Sequence, residues 1–314
     1  DNLAILGTFE KSLEIFEKPH IIISAIEHPA VVAAAAEVVR RGGRMSILEV
    51  NGEGVVSVEA LKKLLHKNTF LVSVGLANNE IGTIQPISKI GRLLSLFRKD
   101  HDSLYPYLHT DGSQAPNYLN VSIESLQSDL LTLDGSKLYG PKCIGVLAVR
   151  RGVEMYPIIF GGGQEGGRRA GTLNPALVSG FTLALEIALR DRDKESRRLE
   201  TLRRYFIESI TGRLPKIVIN GSISSHLPNI VSISLPGTLS EFILLKLDQM
   251  GVMVSVGSAC SFDERVSGSS VIKAIGKPEL AESTLRFSFG RPTTESDLSR
   301  AVEIFGKICH SVVK

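Results

Sequence analysis

The first half of the chain alternates short apolar runs with helical stretches, and this alternation constrains the fold more than any other feature. Largely apolar runs bounded by polar residues recur at 21–23, 45–48, 70–74, 107–110, 130–133 and 146–149. Helical stretches lie between them, near 29–41, 58–67 and 87–99. Strands that are apolar throughout are typical of a sheet covered on both faces. The pattern predicts an α/β domain with a mostly parallel sheet.

The pattern changes near Pro175. A charge-rich helical stretch runs from there to about Arg213, and charge runs of this kind are typical of a solvated helix face. Shorter strands follow at 217–219 and 230–234, with helices near 240–250, 271–275 and 295–313. We therefore expect a large α/β domain over residues 1–185 and a smaller α+β domain over residues 186–314.

Charge and composition exclude several classes of protein. Lys and Arg number 36 against 33 Asp and Glu, and a net charge of +3 is too balanced for a dedicated nucleic-acid binder. No apolar run is long enough to cross a bilayer. The three cysteines exclude a disulfide scaffold and lack the spacing of a metal site. They fit a reducing compartment, so we expect a cytoplasmic protein, or one of an organelle matrix if a targeting segment precedes the chain.

Two polar segments follow predicted strands. Lys137 stands just past one strand, and ligand sites in open α/β sheets lie outside the carboxyl ends of strands. Taken alone, it reads as an exposed lysine in a turn, and Pro141 excludes a nucleotide P-loop because it replaces the required lysine. Asp111 ends another strand, where it could pair with a cationic ring nitrogen while Gln114 reaches a second ring substituent. The alternative is that Asp111 only caps the next turn.

Three other features carry potential chemistry. The segment 161–172 is rich in glycine, which suits either an anion-binding loop or a mobile one. Cys260 lies among small and polar residues, as a reactive loop thiol would, whereas we expect Cys143 and Cys309 to be buried. Arg286 lies inside an apolar strand, where a guanidinium needs an anionic partner such as a substrate carboxylate.

Together and in this order, these segments resemble the NifS-type cysteine desulfurases of the class V aminotransferase group. The matching segments are IEHPAV at 26–31, NNEIG at 78–82, DGSQ at 111–114, KLYGPK at 137–142, GGGQE at 161–165, RAGT at 169–172, GSAC at 257–260 and RFS at 286–288. The resemblance implies a large domain of the aspartate aminotransferase-like fold type I, binding pyridoxal 5′-phosphate. It implies a homodimer that converts L-cysteine to L-alanine and passes the sulfur to an acceptor.

The resemblance also implies a role for each matching residue at the cofactor. Lys137 would hold it as a Schiff base and later take the Cα proton of the substrate. Asp111 would pair with the pyridinium nitrogen so that the ring acts as an electron sink. His28 would stack on the ring face as a catalytic residue. Gln114 would donate to the phenolic oxygen, and Asn79 would lie near that oxygen and the substrate carboxylate.

Further implied roles concern the substrate, the phosphate and the sulfur. Arg286 would clamp the substrate carboxylate. The Cys260 thiolate would attack the substrate sulfur, become a persulfide and pass sulfur to an iron–sulfur scaffold protein or a tRNA-thiolation pathway. In that transfer Cys260 could contact an iron–sulfur cluster, although no resident metal site is implied. Thr172 would contact the phosphate in the neighbouring subunit.

Two departures from the family pattern leave alternatives open. Asp134 and Ser136 stand where the family has a phosphate-binding Ser and His, and a carboxylate near a phosphate is unfavourable unless it points away or is paired. The chain also begins after the family's Gly-Ala/Thr-Thr-Glu segment, so we expect a fragment of a longer enzyme. A selenocysteine lyase or related β-lyase of the same fold, or a catalytically impaired dimeric scaffold, are the alternatives to a desulfurase.

Overall fold

A computed structural model describes residues 1–257 and 268–312 of the chain. These residues form two units, each with its own set of internal contacts. The first unit comprises residues 1–49, 56–77 and 85–192. The second comprises residues 50–55, 78–84 and the described residues from 193 onward.

The first unit is built on a six-stranded sheet. Its strands are β1 (His20–Ser24), β2 (Arg44–Leu48), β3 (Thr69–Ser73), β4 (Tyr107–Asp111), β5 (Leu130–Asp134) and β6 (Gly145–Val149). The strands lie in the order β2-β1-β3-β4-β5-β6. All neighbouring pairs are parallel except β5 and β6, which are antiparallel. The predicted α/β fold with a mostly parallel sheet is confirmed.

Helices flank this sheet. They are α1 (Asn2–Ser12), α2 (Pro29–Arg40), α3 (Val58–Leu64), α4 (Ile87–Asp100), α5 (Ile123–Leu126) and α6 (Pro175–Arg213), the last of which runs past residue 192. The core is formed by buried side chains of α1, α2, β1 and β3, among them Phe9 and Phe70, whose ring centroids lie 5.8 Å apart. Packing of this kind explains why the helical stretches between the strands are apolar on one side.

Burial on both faces holds only for part of the sheet. Every residue of β1 and β3 is buried, as the apolar runs predict. For β2 and β6 the prediction is wrong, because most of their residues are exposed or half-buried. These two strands lie at the two edges of the sheet, where there is a neighbouring strand on one side only.

The second unit contains a four-stranded antiparallel sheet. Its strands are β7 (Val218–Asn220), β8 (Ile230–Ser234), β9 (Ser255–Val256) and β10 (Thr284–Ser288), in the order β7-β8-β10-β9. Its other helices are α7 (Ser240–Gln249), α8 (Ser270–Ala274) and α9 (Glu295–Val312). Aromatic rings form its core: Phe287 lies 5.0 Å from Phe206 and 5.3 Å from Phe305, measured between ring centroids.

Among the helices of residues 1–257 and 268–312, none is both long enough and apolar enough to span a membrane.

Candidate active site

The candidate site in the first unit follows from the direction of its strands. Parallel strands place all their carboxyl ends at the same edge of the sheet, and side chains just beyond those ends gather there. In spatial order, β1, β3, β4 and β5 are neighbours. Their carboxyl ends lead to His28, Gly75, Asp111 and Lys137. Residues far apart in the sequence are therefore brought to one edge.

Lys137 lies in a short 3-10 helix, Gly135–Leu138, which begins directly after β5. Lys137 is exposed, and its carbonyl oxygen accepts a hydrogen bond of 2.8 Å from the side-chain amide of Asn117. Gly135 is needed for this turn, because a Cβ there would lie 2.9 Å from a methyl carbon of Ile144. The backbone of the turn is held in place while the amine of Lys137 is open to solvent.

Asp111 ends β4 and is half-buried. Its Oδ1 accepts a 2.9 Å hydrogen bond from the backbone N–H of Ser113, so the capping interpretation of this residue is observed. The carbonyl oxygen of Asp111 accepts a 2.8 Å hydrogen bond from the N–H of Leu76, which ties the end of β4 to the chain after β3. Gln114 follows in the same turn and is half-buried.

His28 is the N-cap of α2. Its Nδ1 accepts a 3.2 Å hydrogen bond from the N–H of Ala30, which satisfies a helix-end donor. Because Nδ1 is the acceptor, the proton of the neutral ring lies on Nε2. The ring is half-buried. Capping orients the imidazole and leaves its other nitrogen for a ligand.

Glu27 is a charged group at this edge that the sequence motifs contained but that our sequence interpretation passed over. Its Oε1 accepts hydrogen bonds from the Ser24 hydroxyl at 2.5 Å and from the Gly75 N–H at 2.9 Å. Burial raises the pKa of this carboxyl to about 7, and the nearby Asp111 carboxylate adds to the increase. The available signal was the pair Glu27 and His28 shortly after an apolar run. Only the order of the strands places Glu27 beside Asp111.

The turn at Asp134 is closed by its own side chains. Oδ1 of Asp134 accepts hydrogen bonds of 2.9 Å from both the N–H and the hydroxyl of Ser136. Asp134 thereby caps the 3-10 helix that carries Lys137. The Ser136 hydroxyl is directed at this carboxylate. Thr172 lies in the glycine-rich segment and is exposed.

Arg286 and Asn79 belong to the second unit. Arg286 lies in β10 and is half-buried. One guanidinium nitrogen, Nη1, donates to the carbonyl oxygen of Asn79 at 2.9 Å, and Nη2 donates to the Ser255 hydroxyl at 3.1 Å. Asn79 is half-buried in the turn that precedes residue 84. The guanidinium is therefore oriented by neutral oxygens.

The three cysteines differ in their surroundings. Cys260 lies outside the described residues. Cys309 is buried as predicted, and burial raises the pKa of its thiol to about 12. The prediction that Cys143 is buried is wrong. Cys143 is exposed, because it lies in the turn before the edge strand β6 with a φ of 64°, where no layer covers it. In the described part of the chain, no cluster of three or more His, Cys, Asp or Glu side chains could hold a metal ion.

Comparison with known proteins identifies the family. The family model for class V aminotransferases matches residues 1–301. The chain belongs to the class V aminotransferase family. Among curated relatives, a cysteine desulfurase IscS of Dictyoglomus turgidum is 41% identical over 290 residues, which are 92% of this chain and 72% of that protein. A cysteine desulfurase IscS of Clostridium botulinum is 40% identical over 311 residues, or 98% of this chain and 76% of the relative.

Solved structures of this family have the same fold. A NifS-like protein superimposes with a TM-score of 0.87 at 29% identity, covering 98% of this chain and 80% of that chain. SspA in complex with cysteine superimposes with a TM-score of 0.75 at 30% identity, covering 92% and 78% of the two chains. Within the class V aminotransferases, the chain belongs with the cysteine desulfurases, enzymes that depend on pyridoxal phosphate.

The side chains at the sheet edge fit the ring of this cofactor. They offer an amine, a carboxylate, an imidazole and an amide, supplied by Lys137, Asp111, His28 and Gln114. Gly75 leaves room beside them, since a Cβ there would lie 3.4 Å from Oε2 of Glu27. The Asp134–Ser136 turn fits the phosphate less well, because the Ser136 hydroxyl donates to a carboxylate.

We expect Glu27 to make the folding stability of the cofactor-free chain depend on pH. The folded state holds a proton that the unfolded chain loses above its ordinary pKa of 4.5, so stability falls as pH rises from 4.5 through about 7. The shift corresponds to about 3 kcal/mol. Glu27→Gln should remove this slope in denaturant unfolding measured between pH 5 and 8. Glu59→Gln, which changes an exposed glutamate, should retain it, and equal slopes for both variants would contradict the assignment.

Proposed function

We propose that this chain acts on L-cysteine through Lys137, releases L-alanine and leaves a persulfide on Cys260. The observation that carries the proposal is the placement of Lys137 just beyond the carboxyl end of β5 and of Asp111 at the carboxyl end of the adjacent strand β4. The cysteine desulfurase relatives support the choice of substrate. The reaction balances in atoms and electrons. The C–S bond of cysteine breaks, its electron pair stays with the carbon, and an S–S bond to Cys260 forms. The carbon then takes up a proton to give alanine.

The bound cofactor supplies an electron sink for the pair of electrons left at the substrate Cα. Lys137 supplies the amine that holds the cofactor at rest and takes the Cα proton, for which its exposed position after β5 is suited. Asp111 would hold the proton of the ring nitrogen with the oxygen that does not accept from Ser113. His28 would stack on the ring face and Gln114 would donate to the ring oxygen.

Substrate and sulfur are handled by residues of the second unit. Arg286 binds the substrate carboxylate, because a planar guanidinium can donate two parallel hydrogen bonds to a carboxylate. The family resemblance assigns the side chain of Asn79 to the same carboxylate and to the ring oxygen. The thiolate of Cys260 attacks the substrate sulfur and carries it to an acceptor, such as an iron–sulfur scaffold protein or a tRNA-thiolation pathway.

Mass spectrometry after incubation of the cofactor-loaded chain with L-cysteine tests this function. We expect one added sulfur on the peptide of Cys260 and free alanine in solution. Lys137→Ala should lower the rate of alanine formation by about 10³-fold, since the proton acceptor is lost. Cys260→Ala should abolish the added sulfur, whereas Cys143→Ala, which removes an exposed thiol outside the proposed chemistry, should retain it.

Three outcomes would contradict parts of this proposal. Added sulfur on Cys143 would contradict the role of Cys260, and no added sulfur on the loaded wild-type chain would contradict the desulfurase assignment. Turnover of selenocysteine that survives in Cys260→Ala, with no turnover of cysteine by the wild type, would assign a selenocysteine lyase instead.

We expect Asp134 to weaken cofactor binding. Asp134 and Ser136 stand at the phosphate-binding positions, and a carboxylate there repels a phosphate. Asp134→Ser removes this charge and releases the Ser136 hydroxyl from its hydrogen bond. Titration of the visible cofactor absorbance should show a dissociation constant about tenfold lower for the variant than for the wild type. The control is Asp193→Ser, which changes an aspartate of α6. Equal cofactor affinities in all three proteins would show that the Asp134 carboxylate points away from the phosphate.

A homodimer is part of the proposal, with Thr172 reaching the phosphate of the partner's site. Support comes from large apolar side chains that are exposed between residues 156 and 189, including Phe160 (82% exposed) and Leu183 (58%). Exposed apolar groups in this number are typical of a protein interface. The cytoplasmic compartment stays a prediction.

Leu183→Asp should dissociate the dimer, because it places a charge in the proposed interface. Light scattering should give a mass near twice 34.0 kDa for the wild type and near 34.0 kDa for the variant. Leu96→Asp is the matched control, since Leu96 is a helical leucine of similar exposure (61%) in α4. A dimer that persists in Leu183→Asp, or one lost equally in both variants, would place the interface elsewhere.

A further inference from the structure

The two residues that flank positions 258–267 meet in the second unit. Gly257 has a φ of 41°, and a Cβ there would lie 3.4 Å from the Cβ of Ser269. On the far side, Gly268 has a φ of 78°, and a Cβ there would lie 2.7 Å from the carbonyl oxygen of Ala281. The N–H of Ser269 donates to that same oxygen at 3.0 Å. The described residues on the two sides of positions 258–267 therefore lie close together.

Ser269 connects this place to Glu80. Its hydroxyl donates to Oε2 of Glu80 at 2.5 Å and accepts from the N–H of Ile272 at 3.1 Å, so it also caps α8. Glu80 is 4% exposed, and a buried carboxylate without a donor is costly. The hydrogen bond therefore constrains both partners.

The turn at residues 78–81, which contains Glu80, also orients Arg286. The side-chain oxygen of Asn78 accepts from the N–H of Glu80 and of Ile81, each at 2.9 Å, which fixes the turn. Next to Glu80, the carbonyl oxygen of Asn79 accepts from Arg286, whose other terminal nitrogen donates to Ser255, two residues before Gly257. Burial raises the pKa of Glu80, while Ser269 and the charge of Arg286 oppose that increase.

Hydrogen bonds within one unit connect Arg286 to the 78–81 turn and to Ser255, and connect Ser269 to Glu80 of the same turn. Gly257 follows Ser255 by two positions and lies beside Ser269, since a Cβ built on it would be 3.4 Å from the Cβ of Ser269. Glu80 touches Ser269 with its side chain and acts on Arg286 through its charge. Its loss removes the carboxylate that accepts from the Ser269 hydroxyl, whereas the hydrogen bonds from Arg286 to Asn79 and Ser255 do not involve the Glu80 side chain.

We propose that Glu80 is a positioning residue for sulfur transfer: it ties the base of the Cys260 segment to the turn that orients Arg286. This inference rests on the proposed function, because it assumes that Cys260 receives sulfur. Loss of the tie lowers the rate at which the thiol reaches the substrate more than it weakens substrate binding. A purely structural role of Glu80 instead lowers the yield of folded enzyme and leaves that ratio unchanged.

The experiment compares Glu80→Gln and Ser269→Ala with the control Glu53→Gln. Glu53 lies in the same unit and its Oε2 also accepts from a serine hydroxyl, that of Ser222 at 2.9 Å, but it is exposed. Rapid quenching with mass spectrometry measures persulfide formation on Cys260, and the cofactor absorbance change measures cysteine binding. Hydrogen exchange of peptides over 268–275 in the full chain without cysteine measures the tie itself.

We expect Glu80→Gln and Ser269→Ala each to slow persulfide formation about tenfold, the effect of a weakened charge-assisted hydrogen bond, with less change in cysteine affinity. Exchange over 268–275 should quicken in both variants, more in Ser269→Ala because that change also removes the cap of α8, and stay at the wild-type rate in Glu53→Gln. The double variant should form the persulfide no more slowly than the slower single variant. Both changes weaken the same contact, the hydrogen bond between Ser269 and Glu80.

Three outcomes overturn the inference: persulfide formation in Glu80→Gln at the rate of Glu53→Gln, unchanged exchange over 268–275, or faster exchange with an unchanged persulfide rate. If the wild-type enzyme forms no persulfide, the proposed function fails instead. The exchange data then still decide whether Glu80 holds Ser269, so the two failures are distinguishable.

Discussion

A hydrogen-bonded histidine in the middle of the parallel sheet sets the register on which the candidate site depends. His109 of β4 is buried, and its ring nitrogens contact the Ser73 hydroxyl of β3 at 2.8 Å and the Thr132 hydroxyl of β5 at 2.9 Å. Burial lowers the pKa of His109 to about 3, so the ring is neutral at physiological pH, with one nitrogen donating and the other accepting. A shift of register would leave buried polar atoms without partners. Asp111, two residues further on, is thereby placed at the end of β4.

The side chains at this edge share one construction. His28 and Asp111 each use one atom to cap the following turn, and the other polar atom of each is available to a ligand. Capping fixes the rotamer before any ligand binds, which is the preorganisation that a catalytic site requires. Asp134 departs from this pattern, because the Ser136 hydroxyl lies 2.9 Å from each of its carboxylate oxygens. That closed pair is the physical reason to expect a weaker hold on the cofactor phosphate.

The second unit is assembled from segments that are far apart in the sequence. Segments 50–55 and 78–84 belong to it although they precede residue 193 by more than a hundred positions. The boundary between residues 185 and 186 stays a prediction for the domains. The segment 78–84 follows β3 in the sequence, and its turn interacts with Arg286 of β10. The carbonyl oxygen of Asn79 accepts a hydrogen bond from Arg286, and the charge of Arg286 acts on Glu80.

The sequence by itself determined the strands, the helices between them and the residues at each strand end, because local apolar runs and turn residues carry that information. It also carried the family resemblance, which the comparisons confirm. Only the tertiary structure decided that β2 and β6 are exposed edges, that Cys143 is exposed, that Glu27 is half-buried with a raised pKa, and that Glu80 is buried. Burial and hydrogen bonding depend on which distant segments become neighbours, and strand order, which brings Ser24 and Gly75 around Glu27, is not written in any local pattern.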